Sequence, residues 1–99
     1  MNIYWIPSAT FVLDSPLRHD EDGTLIGHYA RSLYVAARDE SEASTVVEEA
    51  ARRGGASMLD AGVIERSTPA SVPDSIALDR VPTEPRVLWQ SGRAFYRAS

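Results

Sequence analysis

The sequence contains neither cysteine nor lysine among its 99 residues. Without cysteine the chain can form no disulfide and no thiolate nucleophile, so the redox compartment stays open. All ten basic residues are arginine, which excludes Schiff-base chemistry and lysine-based phosphate binding. An arginine-only basic set also indicates a GC-rich bacterial source.

Long apolar runs and excess positive charge are missing as well. No segment is apolar for the roughly 20 residues that a membrane helix needs. Residues 1–13 lack the basic flank and cleavage site of a signal peptide, so the cytoplasm is the expected location. The formal net charge of -4 argues against nucleic acid as a partner and suits a basic protein. The hydrophobic share of 43% is ordinary and predicts a single domain over residues 1–99.

Two strands and a helix are predicted in the first half of the chain. Residues 3–13 are rich in aromatic and β-branched types, and Pro7 places this strand at an edge or at a bulge. Strict alternation puts Trp5 and Phe11 on one face and Tyr4 on the other. Residues 28–37 form a second strand that pairs with the first as a long hairpin. Residues 39–55 predict a helix that is capped by Asp39 or Ser41. Its apolar stripe comprises Ala43, Val46, Val47, Ala50 and Ala51.

The second half adds three strands. Residues 57–66 read as a strand with a bulge at Gly62, and residues 67–85 as a Pro- and Ser-rich connection with a short helical turn near 74–78. The last two strands are separated by Ser91 and Gly92, which predict a tight hairpin in which Trp89 faces Ala94. The fold class is therefore α+β, a mostly antiparallel sheet of about five strands in the order β-β-α-β-β-β with one long helix on one face.

One helix is too narrow for this sheet. Five strands span roughly 20 Å, whereas a helix is about 10 Å across. The alternation in the strands nevertheless places apolar residues on both faces of the sheet, and these residues include Tyr4, Trp89 and Tyr96. The second face must be covered by a curled sheet, by the Pro-rich connection or by another chain. Aromatic surface of this kind is typical of interfaces.

The acidic stretch of residues 17–28, LRHDEDGTLIGH, is the most unusual local pattern. Asp20 and Asp22 before Gly23 match only a fragment of a calcium loop, because the closing glutamate is missing. A zinc site would need His19 and His28 with Asp20 or Asp22, on a loop and without cysteine. The interpretations that remain are a solvated turn or a docking loop, Asp20 to Asp22, that attracts a basic partner.

No motif for catalysis is present. Asp60 lies within a predicted strand, and His28 and Arg31 fall on opposite faces of theirs. No nucleophile elbow, phosphate loop or dinucleotide pattern occurs, so no catalytic residue, metal or cofactor is expected. Arg86, Arg93 and Arg97 either form a basic stripe beside Trp89 and Tyr96 or protect an edge strand, and the second interpretation is favoured.

In size, charge and layout the chain is similar to bacterial immunity proteins that neutralise toxins, a resemblance of general build that assigns no residues. It implies a small non-enzymatic protein-binding module that masks its partner by surface complementarity. The expected contacts are Asp20, Glu21 and Asp22 with Tyr4, Trp89 and Tyr96. The alternative is a homodimeric α+β domain, ligand-binding or enzymatic, with His28 or Asp60 in a pocket between helix and sheet.

Overall fold

A computed structural model of the chain describes residues 1–18, 25–68 and 83–96. Within these residues six strands form one antiparallel sheet, and a single helix packs against it, which confirms the α+β fold class. The elements are β1 (Asn2–Arg18), β2 (Leu25–Ala37), α1 (Glu40–Arg53), β3 (Ala56–Asp60), β4 (Glu65–Ser67), β5 (Arg86–Gln90) and β6 (Ala94–Tyr96). No described helix has the length and apolar character that crossing a membrane requires. The predicted helical turn near 74–78 lies outside the described residues.

The sheet has two long central strands and two interrupted outer ones. β1 and β2 pair as the predicted hairpin, from Asn2 opposite Ala37 to Arg18 opposite Leu25. β3 and β4 both pair with the other side of β1, and β5 and β6 both pair with the other side of β2. The single strand predicted over residues 57–66 is therefore divided between β3 and β4. Its break includes Gly62, where a bulge was predicted and where φ is +68°.

The predicted hairpin at Ser91 and Gly92 is wrong. β5 and β6 run in the same direction along β2, with Tyr34 opposite Trp89 and Ala30 opposite Ala94. The interruption is held in place by Ser91, whose N–H donates to Ser32 O at 2.9 Å and whose Oγ accepts from Ser32 N at 2.9 Å. The serine side chain thus replaces a strand carbonyl, and the chain continues along the same edge instead of reversing.

A bulge in β1 reverses the predicted faces of its first half. Ile6 lies opposite Leu33 and Ala9 opposite Arg31, so Pro7 and Ser8 together oppose Ser32. The Ser32 hydroxyl donates to Pro7 O at 2.7 Å. Because one residue is inserted, Tyr4 and Ile6 share a face with Ala9 and not with Thr10. Pro7 therefore marks a bulge in a central strand, the second of the two positions expected of it.

Helix α1 begins and ends close to the predicted residues because its signals are local. Asp39 is the N-cap, and its side chain accepts from Glu42 N at 2.8 Å. Glu42 Oε1 reaches back to Arg38 N at 3.0 Å. The chain leaves the helix at Gly54, whose N–H donates to Ala50 O and Ala51 O. The stripe buries Ala43, Val46, Val47 and Ala51, mainly over β2 and β3.

The core lies between α1 and the face of the sheet that this helix covers. We call this the helix face. The largest fully buried side chains of the core are Phe11, Ile6, Leu33 and Val35 from the sheet and Val47 from α1. In β2 the residues on the helix face are the odd-numbered ones from Tyr29 to Ala37, and the even-numbered ones point to the opposite face.

Candidate functional surfaces

The face opposite the helix carries a cluster of aromatic rings on three strands. Trp5 of β1 lies against Tyr34 of β2, with ring centroids 4.5 Å apart, and Trp89 of β5 lies 6.1 Å from Tyr34 and 6.4 Å from Trp5. The pairing explains this contact, because Trp5 and Trp89 both stand directly opposite Tyr34, on either side of it. We call this cluster, together with His28 and Tyr96, the aromatic face.

The exposed part of the aromatic face lies along β5 and β6. Trp89 keeps 39% and Tyr96 keeps 40% of its surface exposed. Tyr96 stands opposite His28, with ring centroids 5.8 Å apart. Ile3 and Ala36, which pair across β1 and β2 on the same face, are buried, with 3% and 0% of their surface exposed. The most exposed rings of the aromatic face therefore lie at its β5 and β6 edge.

The sequence-predicted contact residues are distributed over both faces. Trp89 and Tyr96 do share a face away from the helix, as expected. Tyr4 does not, because the bulge at Pro7 and Ser8 turns it into the core, where it is 4% exposed. Tyr4 is thus unavailable to a docking partner. Asp20, Glu21 and Asp22 lie outside the described residues, as does His19.

His28 and Asp60, proposed for a pocket between helix and sheet, do not lie on the helix face. His28 belongs to the aromatic face, and Asp60 lies opposite Thr10 on the same side of the sheet. Asp60 is exposed, and its Oδ1 accepts from Gly62 N at 2.8 Å, which stabilises the turn after β3. In the described part of the chain no three His, Cys, Asp or Glu side chains are grouped as metal ligands would be.

A groove does open between helix and sheet, and the charged residues among its described lining are both arginines. Its volume is about 490 Å³. The floor comes from Phe11, Tyr29, Arg31 and Leu33, and one wall from Val47, Ala50, Ala51 and Gly54 of α1 and its C-cap. The other wall comes from residues 87–90 and Arg93. We call this space the helix-side groove.

Three aromatic rings and two guanidinium groups form a continuous row at this groove. Phe11 stacks on Tyr29 with centroids 5.0 Å apart, and Tyr29 lies 5.7 Å from Phe95. The guanidinium carbon of Arg31 is 5.7 Å from the Tyr29 centroid, and that of Arg93 is 5.6 Å from it and 5.1 Å from Phe95. These distances are those of cation–π contacts.

Arg31 stands in a setting that disfavours its charge. It is opposite Ala9 on the helix face, and its Nε is buried with no hydrogen-bond partner within the described residues. Burial lowers the pKa of the Arg31 guanidinium; the interaction with Tyr29 raises it, and repulsion by Arg93 lowers it again. The guanidinium is charged at any ordinary pH, so its partial burial lowers the free energy of unfolding.

Two of these features were missed in the sequence. Trp5 was placed on the face of Phe11 because strict alternation ignores the bulge of β1, and Tyr34 of β2 was not assigned to the site. The unusual position of Arg31 could have been found from the sequence. Arg31 alternates with Tyr29, Leu33 and Val35 on the same face of β2, so an arginine occupies a core position of an otherwise apolar strand face. The basic stripe of Arg86, Arg93 and Arg97, the less favoured of the two interpretations, does not form on one face. Arg86 lies opposite Ala36 on the far side from the helix, Arg93 contacts the helix face, and Arg97 is outside the described residues.

No protein-family model matches the chain, and neither the curated proteins nor the solved structures gave a match.

Proposed function

We propose that the chain is a small non-enzymatic module that binds another protein through its aromatic face. The single observation that carries this proposal is the pair Trp89 and Tyr96, two large aromatic side chains exposed on the face away from the helix. Tryptophan and tyrosine are enriched at the energetic centres of interfaces, because they offer large apolar area and a polar group at low entropic cost.

The packing of Trp89 supports the same proposal. Its ring is held against Tyr34 and Trp5, so little conformational freedom would be lost when a partner covers it. The net charge of -4 favours a basic partner, and the acidic residues Asp20, Glu21 and Asp22 would attract it over a distance. In its specific form the proposal is an immunity-type protein in the bacterial cytoplasm that masks a toxin.

The test uses two neighbouring residues of β6 that lie on opposite faces. Tyr96→Ala removes a ring from the aromatic face, and Phe95→Ala removes a ring of similar exposure, 37%, from the helix face. The protein encoded by the adjacent gene serves as the test partner, and the measurement is titration calorimetry. We expect Tyr96→Ala to weaken binding about tenfold or more and Phe95→Ala to change it little, because only the first ring would be covered.

Two results would contradict the proposal. One is equal loss of affinity in both variants while thermal unfolding shows that both are folded. The other is a stable dimer of the chain alone that buries Trp89 between its two copies, as shown by sedimentation and by Trp89 substitution. That outcome would favour the homodimeric alternative.

A further inference from the structure

Arg31 and Arg93 contact aromatic rings but have no anionic partner within the described residues. In the described part of the chain neither guanidinium makes an ion pair; the two bridges there are Arg38–Glu42 and Arg52–Glu48 on the helix. The chain as a whole is acidic, yet no described residue lining the helix-side groove is Asp or Glu. Positive charge is therefore concentrated in this groove against the sign of the whole molecule.

The adjacent end of α1 does not account for the pair. A helix C-terminus attracts cations because its last carbonyls lack partners. Here Ala50 O and Ala51 O accept from the N–H of Gly54, and Arg52 O accepts from the N–H of Gly55. Neither Arg31 nor Arg93 donates to them within the described residues.

The groove has the size and lining of a small-molecule site. Its volume of about 490 Å³ lies within the range of roughly 300–1,000 Å³ that ligand pockets occupy. The rest of the described lining is mostly aliphatic or aromatic, as in pockets where a few polar groups fix the orientation of an apolar ligand. The guanidinium carbons of Arg31 and Arg93 lie 5.7 and 5.6 Å from the Tyr29 centroid, and the two groups are close enough for repulsion by Arg93 to lower the pKa of Arg31.

We propose that the helix-side groove binds a small organic anion whose carboxylate or phosphate group pairs with Arg31 and Arg93. Its apolar body lies between α1 and β5, against Leu33 and Val47. Guanidinium groups suit this recognition because they donate in a planar fork that matches carboxylate and phosphate oxygens. This proposal does not rest on protein binding, although Trp89 of the aromatic face also lines the groove.

The first experiment titrates four probes into the ¹⁵N-labelled full chain and follows its backbone amide signals. Benzoate and phenyl phosphate carry the two anionic groups, benzamide is a neutral match for benzoate, and inorganic phosphate lacks the apolar body. We expect saturable shifts near residues 87–93 and at the end of α1 with benzoate, phenyl phosphate or both. The stronger of the two identifies the ligand group. Benzamide binding as tightly as benzoate, inorganic phosphate binding as tightly as phenyl phosphate, or no saturable shift would overturn the proposal.

Matched variants then locate the site. Arg31→Gln and Arg93→Gln each remove one groove cation, and Arg86→Gln removes the same charge from the same edge of the sheet on the opposite face. We expect each groove variant to weaken anion binding about tenfold or more, because a charge-assisted hydrogen-bonded pair is lost. Arg86→Gln should leave it nearly unchanged. If all three variants lost the same affinity for the anion, the loss would reflect only the change in net charge, and the proposed site would be wrong.

A stability measurement separates a binding role for Arg31 from a structural one. Arg31→Met keeps much of the side-chain volume and removes the partly buried charge. We expect the free variant to unfold at a higher temperature than the wild type while it no longer responds to the anionic probes. A lower unfolding temperature would mean that Arg31 supports the fold, and would contradict the assignment.

Discussion

Gly62 lies against Ser8 in the bulge of β1, so these two irregular positions depend on each other. It follows β3 at the point where the chain passes the bulge of β1, and its φ is +68°. A Cβ at this position would lie 2.7 Å from Ser8 O, a distance that real Cβ atoms essentially never show. The site therefore requires glycine for two separate reasons, its backbone conformation and the missing side chain.

We predict that Gly62→Ala lowers the free energy of unfolding by about 2 kcal/mol or more, since strain at positive φ and a backbone clash both act. Gly55 offers a control for the first effect, because its φ is +78° but a Cβ there meets nothing within 4 Å. Gly92 has open space as well and no positive φ. Denaturant unfolding should rank the losses as Gly62→Ala, then Gly55→Ala, then Gly92→Ala. Equal losses at Gly62 and Gly55 would show that the approach to Ser8 costs nothing.

At the scale of the element, α1 is defined by its own sequence. Its cap, its stripe and its glycine stop all act within a few residues, so the predicted start and end agree closely with the observed Glu40–Arg53. The one choice that the sequence left open was the cap. Asp39 takes it, with an extended backbone at φ -151° and ψ 177°, and Ser41 lies inside the first turn.

We predict that Asp39→Ala destabilises the protein by about 1 kcal/mol, because Glu42 N loses its acceptor and the helix start loses a negative charge. Ser41→Ala is the matched control, since the Ser41 contact in the helix is through its backbone O, which accepts from Thr45 Oγ1. Thermal unfolding of the two variants should show a loss for Asp39→Ala alone. A comparable loss for Ser41→Ala would mean that the cap is shared between the two side chains.

The strands were predicted less well than the helix, for a physical reason. Side chains of a strand alternate between the two faces of the sheet. One inserted residue therefore moves every residue that precedes it to the opposite face, relative to the residues that follow it. Pro7 signalled the bulge, but its effect on Tyr4 becomes visible only when the pairing with Leu33 and Arg31 is known. Ser91 and Gly92 are equally compatible with a hairpin and with an interrupted strand. The choice depends on Ser32, 59 residues earlier in the chain.

At the scale of the whole molecule, the two faces of the sheet differ in kind. One face packs under α1 and leaves an arginine-lined groove, and the other carries aromatic rings that are exposed along β5 and β6. The prediction that one helix cannot cover all apolar positions agrees with the exposure of Trp89 and Tyr96. The helix-side groove could not be predicted in this way, because its existence depends on where along the sheet the helix lies.

Amide hydrogen exchange provides a test of this architecture in the free protein. The N–H groups of β1 and β2 lie between neighbours on both sides, whereas β4 and β6 are three residues long and pair on one side within the described residues. We expect the amides around Ile6, Leu33 and Val35 to exchange only by global unfolding and those of β4 and β6 to exchange earlier by local opening. Protection of Tyr96 equal to that of Val35 in the monomeric chain would contradict an open edge at β6. Protection of Tyr96 that rises when the protein partner is added would locate the bound partner beside the aromatic face.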